Sequence, residues 1–380
     1  MNRLIGRVIV FLLFALAAAI SAMGQVDMSQ RTIKVGIMLP LNKNSSEGIR
    51  MVEYYRGVLM ACDSLRQMGV STDIRAWDVR ESTDVDAILK EDGVSDLDLI
   101  IGPLYAKHLN TIGDFATEHD IRVVVPFTIN AAEQYPDLHI YQLYQTPKDF
   151  NEGVVRRYVE NFSNYHTVFI DCNDETSKKG VFTLPLRDKL TEFGLSFRIT
   201  NVKSSDEAFA KSFSKTQPNM VVMNTGRSQD LNLVLARLNN VTANDTAMQV
   251  SMFGYPEWMS YTQQYLDDYY RYNAYIPSTF FYNPLSAKTA RFLQKFRWNF
   301  HADLQGALPR FGIAGFDHAF FFIRGIHLYG DVFKGKAAGV GYTAIQNPLD
   351  FDTNGETGYK NKGLLFVNYT SANKVEIIRY

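Results

Sequence analysis

The chain has 380 residues, in which 39 Lys plus Arg balance 40 Asp plus Glu. This balance argues against the basic face that a nucleic-acid-binding protein presents to phosphates. Hydrophobic residues make up 46% of the chain, which is enough to build folded cores, and the length exceeds what one core usually supports. The composition therefore predicts a folded protein of two domains with no nucleic-acid partner.

The amino terminus has the pattern of a secretory signal peptide. Two arginines precede an uncharged run over residues 8–20, and Ala22 and Gly24 offer a cleavage site after either one. We take residues 1–24 as the signal peptide, which predicts a protein of the periplasm or cell envelope. No later stretch has the ~18 apolar residues that a membrane span needs, and no cysteine follows either cleavage site. Neither a membrane span nor a lipid anchor is expected after cleavage.

Strand and helix patterns alternate through the first third of the chain. The predicted elements are a strand at 33–41, a helix at 49–68, a strand at 73–78 and a short helix at 84–90. An all-apolar strand then runs into Gly102 and Pro103, and one helix length later a second apolar strand runs into Pro126. These two strands and the helix between them form a predicted parallel βαβ unit.

The ends of these two strands are the first candidates for a binding site. Parallel strands of one unit end at the same edge of the sheet, and ligands of open α/β sheets bind outside that edge. The residues that follow the two strands are Leu104, Tyr105, Thr128 and Asn130. We therefore expect them at a ligand site, and the expectation requires no catalytic residue.

An extended segment at 139–145 leads into a second series of strands and helices. The predicted helices are at 147–162, 179–193, 208–213, 229–238 and 257–270, and the strands at 167–171, 196–200, 220–223 and 249–253. After a strand at 274–282, helices at 286–301 and 312–329 follow each other directly, and residues 363–378 have the pattern of a β-hairpin. The predicted fold class is α/β, with two doubly wound parallel-sheet lobes.

Five short segments along the chain have the order and spacing of a known family. They are 33–41 (IKVGIMLPL), 101–103 (IGP), 125–126 (VP), 253–258 (FGYPEW) and 315–319 (GFDHA). By these segments the chain resembles the type I periplasmic-binding-protein superfamily, especially the leucine/isoleucine/valine-type substrate-binding proteins of amino acid ABC transporters. The resemblance implies two lobes joined by a three-strand hinge, with a ligand in the cleft that hinge closure seals.

The resemblance also implies how the chain divides between the lobes. Lobe one would contain residues 32–145 plus 283–330. Lobe two would contain residues 146–282 plus 331–380.

The implied ligand contacts of lobe one depart from the family pattern. Members that bind α-amino acids hold the carboxylate with a Ser after the first strand and with a small residue plus Thr after the second. This chain has Tyr105 and Ala106 after the first strand, and only Thr128 supplies a hydroxyl after the second. The departure weakens the expectation of an amino-acid ligand.

The remaining implied contacts are more scattered. Glu257 falls on the acidic position that holds an ammonium group, the turn at Asn224 and Thr225 matches another ligand-facing loop, and Arg50 and Asp317 complete the set. Each has a structural alternative. Glu257 would be favoured at a helix start by the helix dipole. Arg50 would be solvated at the surface, and Asp317 would hold neighbouring backbone.

No cofactor or metal site is predicted. Residues 350–355 copy the first half of a calcium loop, but Asn361 stands where the loop requires a bidentate Glu. We interpret the segment as a turn and keep calcium binding as a hypothesis. Cys62 and Cys172 are expected to be free thiols, because the predicted fold places them in different lobes.

The sequence lacks the signatures of common enzymes, including a Gly-x-Ser-x-Gly elbow, a His-Glu-x-x-His motif and a phosphate loop, so we do not expect an enzyme. The main hypothesis is an exported solute-binding protein. It would capture a small polar ligand, amino-acid-like or other, in the cleft for a membrane permease or sensor. The alternative is an interaction module with its cleft partly filled by Tyr105 and Phe127, regulating a cell-wall synthase. In this role it resembles the lipoprotein activators of penicillin-binding proteins.

Overall fold

A computed structural model describes residues 31–353 and 358–380 of the chain. The predicted signal peptide lies outside the described residues, and so does part of the calcium-like segment. The described part folds into two α/β lobes, and each lobe is built on one seven-stranded sheet. The predicted fold class is confirmed, with the difference that each sheet ends in an antiparallel pair of strands.

Lobe one is formed mainly by the first part of the described chain. Its elements are β1 (Ile33–Leu39), α1 (Ser46–Arg66), β2 (Thr72–Asp78), α2 (Val85–Leu89), β3 (Leu99–Ile101), α3 (Leu109–Glu118), β4 (Arg122–Val125), α4 (Ala131–Gln134) and β5 (Ile140–Gln142). The five strands are parallel, in the order β5-β4-β3-β1-β2. Strands β3 and β4 are wholly buried, as expected for parallel strands covered by helices on both faces.

Lobe two repeats this pattern. Its elements are α5 (Pro147–Phe162), β6 (His166–Asp171), α6 (Gly180–Glu192), β7 (Phe197–Asn201), α7 (Asp206–Ala210), β8 (Asn219–Met223), α8 (Ser228–Asn244), β9 (Val250–Phe253), α9 (Thr262–Arg271) and β10 (Ala274–Ser278). The strand order is β10-β9-β8-β6-β7, again parallel. A 3-10 helix at Pro256–Tyr261 precedes α9, where the sequence predicts one continuous helix.

The chain then returns to lobe one through α10 (Ala287–Phe300), α11 (Phe311–Tyr329) and α12 (Ala337–Val340). Helix α11 is buried nearly all round, as its apolar sequence predicts, and it packs closely against α1. Two glycines allow this approach. A Cβ atom on Gly57 would lie 1.9 Å from the carbonyl oxygen of Gly312, and one on Gly315 would lie 2.0 Å from that of Tyr54. The two helix backbones are therefore in direct contact.

The tail of the chain contributes to both sheets. Its strands are β11 (Phe351–Asp352), β12 (Tyr359–Asn361), β13 (Leu365–Thr370) and β14 (Lys374–Arg379). Strands β13 and β14 form the predicted antiparallel hairpin and extend the sheet of lobe two beside β10.

The predicted lobe boundary at residue 331 is wrong for α12, β11 and β12. Val340 of α12 is buried in a core of lobe one. Strand β12 pairs in parallel with β5, and β11 pairs with β12, so both belong to the sheet of lobe one. The ring of Tyr359 stacks on that of Tyr141, with centroids 4.7 Å apart, and both side chains are buried. The chain therefore enters lobe two for the last time only between β12 and β13.

The crossings between the lobes lie side by side at the hinge. The Asn361 side chain is buried, accepts a hydrogen bond from the Gly363 backbone (2.9 Å) and donates one to the Leu143 carbonyl (3.3 Å). The Lys362 ammonium lies 2.8 Å from the Asp149 carboxylate, at the first turn of α5. The first and last crossings are thus held together.

The expectation of free cysteines is confirmed. Cys62 is buried in a core of lobe one and Cys172 in the core of lobe two. Among the described residues, no group of His, Cys, Asp and Glu is placed to hold a metal ion. No helix in the same part of the chain is long and apolar enough to cross a membrane.

Candidate functional site

The carboxyl ends of the parallel strands form one rim in each lobe. The rim of lobe one follows β1, β3 and β4 and carries Leu104, Tyr105 and Thr128. The rim of lobe two follows β6, β8 and β9 and carries Asn224 and Glu257. The strand order therefore gathers each set of predicted site residues at one edge of its own sheet.

On the rim of lobe one, Tyr105 is engaged by a carboxylate that the sequence analysis missed. The Tyr105 hydroxyl donates a hydrogen bond of 2.5 Å to Glu47, in the first turn of α1. This bond, more than burial, raises the pKa of Tyr105 to about 12. Tyr105 is therefore a neutral hydroxyl that donates its proton in a hydrogen bond to Glu47.

A cluster of aromatic rings fills the centre of the same rim. Phe127 follows β4, and its ring lies 5.4 Å from Tyr54, 5.5 Å from Tyr144 and 5.5 Å from Phe311 between centroids. The Arg50 guanidinium covers the outer face of Phe311 at 5.8 Å. Lobe one thus presents an aromatic surface at this rim. Small hydroxyl residues at the same position would leave more space, and the sequence analysis expected Phe127 to fill part of it.

Two polar side chains on this rim, Arg50 and Asn130, are exposed, and Thr128 is half-buried. Ala106 is also exposed and offers only a methyl group. The Thr128 hydroxyl reaches the Leu104 carbonyl only at 3.4 Å, a long hydrogen bond that a better acceptor would replace. These groups lie at the edge of the sheet where the parallel strands end.

Asp317 does not line the cleft, which corrects its inclusion among the ligand contacts. Its side chain is fully buried on α11. Its carboxylate accepts hydrogen bonds from the Tyr342 hydroxyl and from the backbone of Ile345, Gln346 and Asn347. Burial raises the pKa of Asp317 above its ordinary value, although these donors oppose the shift. Asp317 therefore anchors the segment after α12.

On the rim of lobe two, Asn224 and Thr225 join neighbouring loops. The Asn224 amide donates to Asp171 at 2.8 Å and accepts from the Cys172 backbone at 2.9 Å. Thr225 is buried, and its hydroxyl donates to Asp174 at 2.8 Å. Both side chains are used to hold the loop after β6 against the loop after β8. They shape the rim, and the buried Thr225 hydroxyl is not available to a ligand.

Glu257 is paired with a lysine of its own lobe. The Lys179 ammonium lies 2.5 Å from the Glu257 carboxylate and 4.3 Å from the centre of the Tyr255 ring. The carboxylate rests on Gly226, where an added Cβ atom would lie 2.0 Å from it. The Tyr255 hydroxyl points inward and donates to the Met223 carbonyl at 2.5 Å. Lys179 is therefore held by an ion pair and a cation–π contact.

A small cavity opens beside this pair. Its volume is about 290 Å³, near the lower end of the range for small-molecule sites. Phe150, Val154 and Phe182 form part of its wall, and Lys178, Lys179 and Glu257 stand at its polar side. It lies where α5 leaves the hinge and where β9 and β10 end, so it belongs to the cleft side of lobe two.

The sequence signals explain which site residues were missed. Glu47 and Tyr105 belong to different elements, and only the pairing of β1 with β3 brings their segments together. Lys179 was visible as one of two adjacent lysines before α6, but its contact with Glu257 depends on loops far apart in sequence. Local patterns carry no information about such contacts.

Known proteins resemble this chain in structure. No protein-family model and no curated protein sequence matches it. One similar solved structure is a Rhodospirillum rubrum protein assigned to branched-chain amino acid ABC transport. It has 12% identity and a TM-score of 0.55, and the match covers 92% of this chain and 100% of that one. Two structures of full-length LpoA from Haemophilus influenzae have 14% and 13% identity and TM-scores of 0.51 and 0.53. Those matches cover 92% of this chain and 59% of LpoA.

Proposed function

We propose, from the type I periplasmic-binding fold that the chain has, that it is an exported solute-binding protein. A small polar ligand binds between the two lobes, and closure about the hinge forms the state that a membrane permease or sensor recognises. The observation that carries the proposal is the pair of rims, one on each lobe, at the carboxyl ends of parallel strands.

The side chains on the two rims support a polar ligand. Arg50 and Asn130 are exposed on lobe one, and Thr128 is half-buried beside them. Lys178 and Glu257 stand at the polar side of the cavity on lobe two. A ligand that contacts both rims has contacts in the closed form that the open form lacks, and this difference drives closure.

Export and the transport partner complete the proposal. The predicted signal peptide at residues 1–24 would deliver the protein to the periplasm or cell envelope. The R. rubrum protein is assigned to ABC transport, and the structural match covers 100% of the R. rubrum chain. We extend a role of this kind, delivery of a captured ligand to a membrane permease, to this chain.

A thermal-shift screen tests the proposal. The panel contains amino acids, short peptides, nucleobases, sugars and organic acids. A true ligand at 100 times its Kd stabilises the folded state by about 2.7 kcal/mol. Arg50→Gln is expected to weaken the response, and Arg66→Gln, at the exposed far end of the same helix, is the matched control. A flat response across the panel would contradict the proposal.

One observation favours a second candidate, an interaction module that regulates a cell-wall synthase. The aromatic cluster around Phe127 occupies the centre of the lobe-one rim, which leaves less room there for a small ligand. The fold also matches part of LpoA, at TM-scores of 0.51 and 0.53. Affinity capture from envelope extracts separates the two candidates. A transport receptor recovers a permease, whereas a regulator recovers a synthase.

A further inference from the structure

The polar side of the lobe-two cavity has a net positive charge. Of the residues that line the cavity, the charged ones are Lys178, Lys179 and Glu257, which are two ammonium groups against one carboxylate. Lys179 and Glu257 neutralise each other at 2.5 Å. The charge that remains is that of Lys178, whose side chain is exposed.

The acidic group of the cavity is already satisfied by a cation of the protein. Lys179 belongs to the same lobe as Glu257, so it competes with any ligand cation at an effective concentration of about millimolar or more. The ring of Tyr255 holds the lysine from its other side, at 4.3 Å. A ligand ammonium would have to displace this lysine before it could gain an ion pair with Glu257.

The rest of the cavity favours an apolar group. Phe150 and Phe182 line it together with Val154, which is buried, and Val181 stands exposed at its mouth. An apolar body against these side chains removes their surface from water, at roughly 25 cal/mol per Å². At about 290 Å³ the space suits a compact molecule.

Building on the proposed function, we propose that the cleft ligand is a small monocarboxylic acid without an ammonium group. Its apolar body lies between Phe150 and Phe182, and its carboxylate pairs with Lys178. Lys179 occupies the position beside Glu257 that a ligand ammonium would otherwise take. The class includes branched-chain 2-oxo acids and short arylalkanoic acids, and it excludes the corresponding amino acids and amines.

Calorimetric titration of the purified chain with two sets of ligands, one with the carbon skeleton of the leucine side chain and one with that of phenylalanine, tests the proposal. The probes are 4-methyl-2-oxopentanoate, 4-methylpentanoate and L-leucine, together with 3-phenylpropanoate, L-phenylalanine and 2-phenylethylamine. Within at least one of the two skeletons, the acid is expected to bind at least ten-fold more tightly than the amino acid.

Two variants and a control identify the groups responsible. Lys178→Gln is expected to weaken binding of the acid about ten-fold, because a charge-assisted hydrogen bond is lost. Lys203→Gln removes the same charge from an exposed position of lobe two outside the cavity, and it is expected to bind as the parent chain does. Glu257→Gln is expected to tighten acid binding, since it frees the ammonium of Lys179.

The contrary outcomes separate this proposal from the function on which it rests. Tighter binding of the amino acid or amine than of the acid overturns the proposed ligand class and leaves a solute-binding protein. Loss of acid binding in Glu257→Gln, or an equal loss in Lys178→Gln and Lys203→Gln, overturns the assigned roles. No binding by these probes, with a response to another class in the thermal-shift screen, overturns the ligand class alone. No response to any compound overturns the solute-binding function as well.

Discussion

The ring of Phe127 meets that of Tyr54 edge-on, with centroids 5.4 Å apart and planes at 72°. Phe127 follows β4, and Tyr54 lies on the buried face of α1. The contact therefore joins the rim of lobe one to its core. Together with the contacts of Phe127 to Tyr144 and Phe311, it makes this part of the lobe-one rim a packed aromatic surface.

Replacement of Phe127 by Ala is expected to destabilise the protein by about 2 kcal/mol. Fully buried Phe-to-Ala changes cost more, but Phe127 is half-buried. Urea unfolding followed by circular dichroism measures the change. Phe193→Ala is the control, because Phe193 is 59% exposed, and a loss below about 0.5 kcal/mol is expected. Equal losses in the two variants would show that the cluster does not hold the rim.

Two glycines of lobe two are expected to respond differently to alanine. A Cβ atom on Gly226 would meet the carboxylate end of the long Glu257 side chain, so Gly226→Ala should cost at most about 1 kcal/mol, the value of the partly exposed ion pair with Lys179. A Cβ atom on Gly254 would lie 2.2 Å from the ring of Trp258, which is fully buried, and about 3 kcal/mol is expected. Urea unfolding compares the two. A Gly226→Ala cost equal to that of Gly254→Ala would mean that Glu257 is rigidly held.

His318 should make the folded state sensitive to mild acid. It is buried on α11, with Nδ1 2.9 Å from the Tyr54 hydroxyl, and burial lowers its pKa to about 3 from an ordinary 6.5. Below pH 6.5 the His318 imidazole is protonated in the unfolded chain but stays neutral in the folded chain. Stability from this group is therefore complete above pH 6.5 and is lost towards pH 3, at about 1.4 kcal/mol per pH unit.

His318→Gln is expected to reduce the difference in unfolding free energy between pH 7.5 and pH 5.5 by about 1.4 kcal/mol. The comparison uses the pH dependence, so a uniform loss of stability in the variant does not affect it. His119→Gln, at an exposed position, is the control. An unchanged pH dependence in His318→Gln would refute the burial of a neutral imidazole.

Asn361 is expected to be the critical polar residue of the hinge. Its side chain accepts from the Asp350 and Gly363 backbones and donates to the Leu143 and Pro348 carbonyls. Asn361→Ala leaves these buried groups without that partner and should cost about 2 to 3 kcal/mol in urea unfolding. Asn161→Ala removes an exposed amide bonded to the Arg157 carbonyl, and little change is expected. A loss of unfolding free energy no larger than that of Asn161→Ala would show that Asn361 does not stabilise the hinge.

Periodic sequence patterns predicted most of the elements correctly. The helix at Pro147–Phe162 has the predicted bounds, because Pro147 fits the first helical turn and Thr146 caps it. The apolar run of α11 is buried as its composition indicates. In such segments local propensity and tertiary packing favour the same structure, so the sequence alone is sufficient.

The errors arose where contacts are distant in sequence. Strands β11 and β12 are very short, and they form only because β12 pairs with β5 and Tyr359 stacks on Tyr141. Asp317 matched a family position, yet backbone donors after α12 enclose it. No local pattern reveals either arrangement. The sequence predicted the sheet edges at which Tyr105, Thr128 and Glu257 lie, but not the contacts of each side chain.

Energy transfer between dyes on the two rims tests most directly whether the lobes close on a ligand. Lys43→Cys and Glu175→Cys are exposed positions in the loops after β1 and β6, and the native Cys62 and Cys172 are buried from thiol-reactive dyes. We predict that a compound that stabilises the chain in the thermal-shift screen raises the transfer efficiency, with the same midpoint as the stabilisation. An unchanged transfer efficiency with a stabilising ligand would contradict capture in a closing cleft.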